Sequence, residues 1–230
     1  ILKVDDSWFS VSSHPRATLG WKDSGQTAVI DILQIRWQVE IGGEVFQVDG
    51  LNRVRGATET LLFTDAFGPS TKAGRGGVEL QIGQDGRIQE ISTSGDAPIP
   101  TGGYVLSFGS RSGMQADRFA RGGEARILRE FFDKSNRRVD ELWEDMEYLV
   151  GGTPLLLKEG RLVEDHSVEK IPADFVDKRH PRTAVGRQPD GTWVFVVVDG
   201  RRPGLSVGMT IPELARLMQS LGCRDALNLD

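Results

Sequence analysis

The feature that most constrains this chain lies near its C-terminus, where Trp193 to Val198 forms an uninterrupted apolar run rich in β-branched residues. Such a run reads as a strand buried on both faces. Asp199-Gly200 ends it as a turn pair. Thr210-Ile211-Pro212-Glu213 then supplies a capping box with proline inside the first helical turn. Leu214, Leu217, Met218 and Leu221 recur at helical spacing, with Gly222 as a stop. Ala226 to Leu229 has the pattern of a further short strand, so residues 193–229 are expected to form a β-α-β unit that ends beside Asp230.

Upstream the pattern changes to short strands divided by turns. Arg16 to Trp21, Thr27 to Trp37, Glu44 to Val48, Thr60 to Thr64, Val78 to Ile82 and Arg87 to Ser92 are separated by Asp23-Ser24-Gly25, Gly42-Gly43 and Asp85-Gly86. Tyr104 to Phe108, Ala125 to Phe132, Leu155 to Lys158 and Thr183 to Gly186 continue the series, while Ser110 to Gly123 carries no periodic signal. Between Arg137 and Val150, apolar residues at 139, 142, 143, 146, 149 and 150 predict one amphipathic helix with a solvated acidic face, stopped by Gly151-Gly152. The fold class is therefore α+β, a mixed and largely antiparallel sheet with few helices. Neither an internal repeat nor a low-complexity linker divides residues 1–230, which are expected to form a single domain.

Charge and composition exclude several function classes. A net charge of −5 provides no global basic field for nucleic acid or an anionic membrane. No apolar stretch reaches the roughly 18 residues of a membrane-spanning helix, so no direct membrane insertion is expected. The one cysteine, Cys223, precludes an intrachain disulfide and reads as a small buried residue. His14, His166 and His180 lie far apart without metal-ligand spacing, and neither a GxSxG elbow, a P-loop nor a GxGxxG turn is present. No metal and no cofactor are expected.

What stands out instead is polar chemistry gathered at predicted strand ends. His180-Pro181-Arg182-Thr183 precedes one strand, Asp199-Gly200-Arg201-Arg202 follows another, and Asn228 and Asp230 flank Leu229. Loops at strand ends can converge on one crevice. Arginine offers a planar fork for phosphate oxygens, and carboxylates act as acid, base or nucleophile in glycoside cleavage. The plain alternative is a turn at Asp199-Gly200 with solvated arginines.

Residues 180–230 resemble the phosphodiester glycosidase family. The resemblance rests on Arg182-Thr183-Ala184 with Gly186, Asp199-Gly200-Arg201, Ser206, Gly208-Met209-Thr210 and Asn228-Leu229-Asp230, in that order and at those intervals. Gly151-Gly152-Thr153-Pro154-Leu155 resembles a further family element, with weaker echoes at Leu51-Asn52, Ser70-Thr71 and Val78-Glu79. The glycine and serine that the family carries after the aspartate equivalent to Asp230, and its asparagine-glycine-rich N-terminal element, have no counterpart, so an incomplete domain with weak activity of its own is expected.

The resemblance implies hydrolysis of the bond between a sugar C1 and a phosphodiester oxygen. It nominates Asp199, Asp230 and Glu79 as candidate catalytic carboxylates, without ranking them, and Arg182, Thr183, Arg201, Ser206, Asn228 and His180 as substrate-binding residues. The implied partner is a sugar phosphodiester or polysaccharide on glycoprotein or cell-envelope polymer, in a secreted or cell-envelope protein. A non-catalytic carbohydrate or exopolysaccharide binding or processing module of the same fold is the alternative, with Trp21, Trp37, Trp143 and Trp193 as candidate stacking faces.

Overall fold

The computed structural model describes every residue apart from Asp6, Pro203 and Asp230. Its strands, in chain order, begin with Leu2–Val4 (β1), Ser7–Ser10 (β2), Arg16–Lys22 (β3), Thr27–Ile41 (β4), Glu44–Val48 (β5) and Gly50–Leu51 (β6). Thr60–Thr64 (β7), Val78–Ile82 (β8), Ile88–Ser92 (β9), Tyr104–Phe108 (β10) and Ala125–Phe132 (β11) follow. After the helix Asp140–Trp143 (α1) come Tyr148–Gly152 (β12), Leu155–Lys158 (β13) and Arg161–Leu162 (β14). The helix Ala173–Asp177 (α2), strands Arg182–Arg187 (β15) and Trp193–Val198 (β16), the helix Ile211–Ser220 (α3) and strand Asp225–Asn228 (β17) complete the chain. This is an α+β architecture dominated by antiparallel pairs.

The polypeptide forms two compact units. One comprises Ile1–Asp5, His14–Gln34 and Phe131–Asp230; the other comprises Asp6–Ser13 and Ile35–Glu130.

In the first unit, β12 pairs antiparallel with both β1 and β3, and β3 with the first half of β4. A second sheet runs in the order β14-β13-β17-β15-β16. The two sheets enclose Ala17, Leu19, Ile30, Ile32, Leu155, Val185 and Leu227. The opposite face of the second sheet is covered by α3, whose Ile211, Leu214, Ala215 and Met218 pack with Leu156, Leu157, Ala184 and Ala226. Because β16 and β17 are both paired to β15, and both antiparallel to it, they run parallel to one another across α3. The expected β-α-β unit is thus present, with β15 inserted between its strands. Its helix carries the capping box: Thr210 Oγ1 accepts from Glu213 N–H and the Glu213 carboxylate accepts from Thr210 N–H. Cys223 is buried.

In the second unit a sheet runs β6-β7-β10-β8-β9. Its β6–β7 pair is parallel, and a core of Leu61, Phe63, Ala97, Ile99 and Val105 packs on one side.

Three expectations are corrected. The helix drawn from Arg137 to Val150 shrinks to Asp140–Trp143, because Tyr148–Gly152 is claimed as a strand by both β1 and β3. Trp143 and Met146 still turn inward and Glu141, Glu144, Asp145 and Glu147 are exposed, so the helical period was produced by a turn followed by a strand. Second, β16 is an edge strand rather than one enclosed on both faces: Phe195 and Val197 are 72% and 77% exposed, while Val194, Val196 and Val198 pack towards α3. An apolar run without alternation does not distinguish these two placements. Third, the buried stripe of α3 is rotated from the expected one, leaving Leu217 half-buried and Leu221 exposed.

Candidate functional site

The first unit brings several strand ends together. β15 begins at Arg182, β17 ends at Asn228, β13 begins at Leu155 and β16 ends at Val198, with Arg182 opposite Val198 and Ala184 opposite Asn228. Between β12 and β13 the chain turns through Thr153 and the cis peptide Thr153–Pro154. Asn228 fastens this turn: its Nδ2 donates to the Thr153 carbonyl at 2.6 Å, its main-chain carbonyl accepts from Thr153 N–H at 2.8 Å, and its N–H donates to the Pro154 carbonyl at 3.0 Å. Gly152 permits that approach, since a Cβ there would lie 2.1 Å from the Asn228 carbonyl oxygen. The Asn228 side chain is fully buried, and its Oδ1 has no hydrogen-bond donor among the described residues.

The turn is held from its other side by Glu169, in a single 3-10 turn and with no exposed surface. Glu169 Oε1 accepts from Ala17 N–H at 3.0 Å and Thr153 Oγ1 at 3.1 Å, and Oε2 accepts from Leu155 N–H at 3.1 Å. Three donors, one from β3 and two from the 153–155 turn, thereby meet one carboxylate, which offsets the cost of its burial. Arg16 stands beside it. Its Nη1 donates to Thr153 Oγ1 at 3.1 Å and to the Glu169 carbonyl at 3.2 Å, and its Nε and Nη2 make no hydrogen bond or ion pair among the described residues. A half-exposed guanidinium with donors to spare is the arrangement that can take an anion's oxygens.

Arg182 is placed differently. It is 1% exposed and points to the α3 side of its sheet, where Nε donates to the Met209 carbonyl at 3.0 Å and Nη2 to the carbonyls of Phe175 and Lys178 at 2.6 and 3.1 Å. The Phe175 ring lies 4.6 Å from its guanidinium carbon. Arg182 therefore ties α2 and the loop before α3 to the start of β15. His180 joins the same assembly through reciprocal main-chain bonds with Met209 and a ring stacked on Phe175 at 6.5 Å. Gly208 allows this crossing, because a Cβ would fall 2.3 Å from the His180 carbonyl oxygen.

Asp199 is exposed just past β16, and the Ser206 hydroxyl donates to its main-chain carbonyl, fixing the ends of the 199–206 loop. Arg201 sits in that loop, exposed, at φ 58°, a left-handed conformation uncommon for a residue with a Cβ. Thr183 is half-buried opposite Val197, and its carbonyl accepts from Leu229 N–H at 2.8 Å. Asp230 lies outside the described residues.

Glu79 belongs to the second unit, where it is wholly enclosed. Its Oε1 accepts from Thr71 Oγ1 at 2.7 Å and Ser107 Oγ at 2.8 Å, and Oε2 accepts from Ala97 N–H at 3.0 Å. The Arg55 guanidinium donates in turn to Ser107 Oγ. This geometry anchors the 71–97 loops on β8 and β10.

A sequence profile of the phosphodiester glycosidases matches residues 76–230. The chain belongs to the phosphodiester glycosidase family. Two solved structures share the fold over the whole of this chain. One is a hypothetical protein from Synechocystis, with a TM-score of 0.81 at 23% identity; the other is a Burkholderia pseudomallei protein described as exported, with a TM-score of 0.77 at 22% identity. The chain covers 42% and 54% of those two chains. Among curated proteins it is 29% identical over 140 residues to an uncharacterized protein of Rickettsia conorii, spanning 60% of this chain and 46% of that protein. It is also 44% identical over 52 residues to an uncharacterized prophage-derived protein of Bacillus subtilis, 23% of this chain and 8% of that one.

No local signal in the sequence singles out Arg16, Thr153 or Glu169 as site residues. The Gly-Gly-Thr-Pro step was visible, but Arg16 read only as a strand start. Glu169 sits among Glu164, Asp165 and Lys170, in a stretch that reads as solvated; only its burial sets it apart. Nearby in the chain, burial pushes the His166 imidazole below its ordinary value, and its Nδ1 has no partner among the described residues.

Proposed function

We propose that the protein is a hydrolase that cleaves the bond between a sugar C1 and the oxygen of a phosphodiester. The single observation that carries the reading is the Arg16 guanidinium, with donors to spare, mounted on the Thr153–Glu169–Asn228 framework of a family named for this chemistry. Water attacks C1, the C1–O bond breaks, and the phosphate monoester leaves with the electron pair while a carboxylate takes the water's proton.

Arg16 is assigned to the phosphate oxygens and Arg201, exposed in its loop, to the same charge. Asp199 is assigned as base or nucleophile, together with Asp230 from its place in the sequence. Glu79, closed in by its three donors, is assigned a structural role, and so is Arg182, which positions α2 and the loop before α3. Asn228, wholly buried, is assigned to positioning the Thr153 turn, with Thr183 and His180 at the neighbouring strand start and Ser206 setting the Asp199 loop. The substrate class is a sugar phosphodiester on glycoprotein or cell-envelope polysaccharide, and the site of action is extracytoplasmic. That reading is supported by the relative described as exported; among the described residues no helix is long and apolar enough to cross a membrane.

A second reading, a non-catalytic module binding carbohydrate or exopolysaccharide, is favoured by the half-exposed rings of Trp21 and Trp193. With the exposed Phe195 they line a cavity of about 310 Å³ in the first unit. A panel of sugar-1-phosphodiesters, with simple glycosides and sugar-free phosphodiesters as controls, separates the two. Release of free sugar from the first class alone supports the hydrolase; binding of the sugar polymer without release supports the module.

A further inference from the structure

Three loops of the second unit share a composition in which arginine is flanked by glycine or serine: Arg53-Val54-Arg55-Gly56, Gly74-Arg75-Gly76-Gly77 and Ser110-Arg111-Ser112-Gly113. None has a part in the chemistry above. β7, β10 and β8 are neighbours in their sheet, and Thr60, Phe108 and Val78 stand side by side at one end of it. The three loops spring from that end. With about 4.8 Å between neighbouring strands, their roots span roughly 10 Å.

The loops are fastened to one another as well as to the sheet. Arg111 N–H donates to the Ala57 carbonyl at 2.7 Å, and Gly109 N–H to the Glu59 carbonyl at 2.8 Å. Arg55 crosses the gap, its Nη1 donating to Ser107 Oγ at 2.5 Å and its Nη2 to the Gly74 carbonyl at 3.1 Å. Gly77 leaves room for this, since a Cβ there would lie 2.9 Å from both Arg55 Nη atoms and 2.1 Å from the Phe108 carbonyl oxygen.

The acids at this end are already engaged. Glu59 accepts two bonds from Arg53, at 2.9 and 2.8 Å, which hold its carboxyl below the ordinary value. Asp49 accepts from Thr60 N–H at 2.8 Å and Asp96 from Lys72 N–H at 3.0 Å. Buried Glu79 meets Arg55 only through the Ser107 hydroxyl. Arg55, Arg75 and Arg111 pair directly with no carboxylate among the described residues, and Arg75 and Arg111 are exposed.

We propose that these loops form a binding surface for a phosphate-bearing polysaccharide. Exposed guanidiniums without carboxylate partners offer forked donors to phosphate oxygens. Three loops spread along a sheet end suit successive phosphates of one chain better than a single ion. The exposed hydroxyls of Thr58 and Ser110 stand among them to meet sugar hydroxyls. The loops contain no Phe, Trp or Tyr on which bases could stack, and Val54 is the one large apolar side chain they expose, too little to enter a lipid surface. Nucleic acid and membrane are therefore the poorer fits. The surface holds polymer without cleaving it, so it does not depend on the hydrolase reading.

The test is a fluorescence-anisotropy titration of the protein into labelled, phosphorylated dextran, whose phosphate esters lie away from C1 and so outside the proposed hydrolysis. Unmodified dextran, inorganic phosphate, an oligothymidylate of equal phosphate number and phosphatidylglycerol vesicles are the comparisons. Phosphorylated dextran should bind, unmodified dextran should not, and affinity should fall as salt is raised. Arg75→Glu with Arg111→Glu should weaken binding about tenfold or more, and Arg75→Ala with Arg111→Ala about threefold. All four substitutions are at exposed positions, so both double variants should keep the wild-type melting temperature, and turnover of any small sugar-1-phosphodiester should be unchanged. The proposal is overturned if phosphorylated dextran does not bind, if unmodified dextran binds as well, or if the double variants bind as wild type does. Phosphate, oligothymidylate or vesicles binding as tightly as phosphorylated dextran would overturn it too.

Discussion

Glutamate to glutamine is ordinarily the mildest way to remove a carboxylate, and at Glu169 it should be costly. Each carboxylate oxygen accepts a main-chain N–H, Oε1 from Ala17 and Oε2 from Leu155. A glutamine has one oxygen, so in either orientation its NH2 faces a buried N–H that cannot reverse. One lost bond and one stranded donor cost about 1–3 kcal/mol, and the amide's own unmet N–H brings the total to about 2–4 kcal/mol. With a urea slope of about 2 kcal/mol per molar, the unfolding midpoint should fall by about 1–2 M. Glu79 supplies the internal control. Its Oε1 partners are the hydroxyls of Thr71 and Ser107, which can rotate to accept from an amide, while its other oxygen keeps Ala97 N–H. Glu79→Gln should therefore cost under about 1 kcal/mol. Equilibrium urea unfolding of both variants decides the matter; a Glu169→Gln midpoint equal to wild type, or a larger loss at Glu79, would refute the reasoning.

Other outcomes follow from the same geometry. Leu214→Ala, at a position with no exposed surface between α3 and its sheet, should lose about 2–5 kcal/mol in the same unfolding measurement. Arg16→Ala should lower kcat/KM for a sugar-1-phosphodiester about 10- to 100-fold while leaving turnover of any uncharged glycoside unchanged, and equal losses on both would remove Arg16 from the phosphate. Burial holds the His166 pKa below 6.5, so the native state prefers the neutral ring. Its contribution to stability is complete above about pH 6.5 and is lost as pH falls through the depressed native value, so His166→Phe should flatten the acid-side decline in melting temperature. An unaltered decline would show that the ring does not titrate as its burial requires.

Much of the fold was legible because local signals agreed with tertiary ones. The Thr210–Glu213 capping box, the Gly222 stop and the short strands between glycine-bearing turns all appear where residue chemistry put them. The failures share a cause, since pattern does not report which neighbour a segment will meet. Tyr148 to Val150 fit a helical period, yet β1 and β3 claim them for a strand, and Phe195 and Val197 fit an enclosed strand, yet β16 is an edge. At the site, the convergence of strand ends around Asn228 and Arg182 was visible in the motif order. The direction of a side chain was not: Arg182 reads as a phosphate fork by type, but it spends its donors on main-chain carbonyls. Arg16 and Glu169 reach the site from segments more than 130 residues apart in the chain, a separation no local motif spans.

The central claim is glycosyl transfer to water rather than phosphoryl transfer, and the position of bond cleavage tests it directly. A sugar-1-phosphodiester is hydrolysed by the protein in heavy-oxygen water, and both products are analysed by mass spectrometry. The account predicts the heavy oxygen in the C1 hydroxyl of the released sugar, with none in the phosphate monoester; heavy oxygen in the phosphate would contradict it.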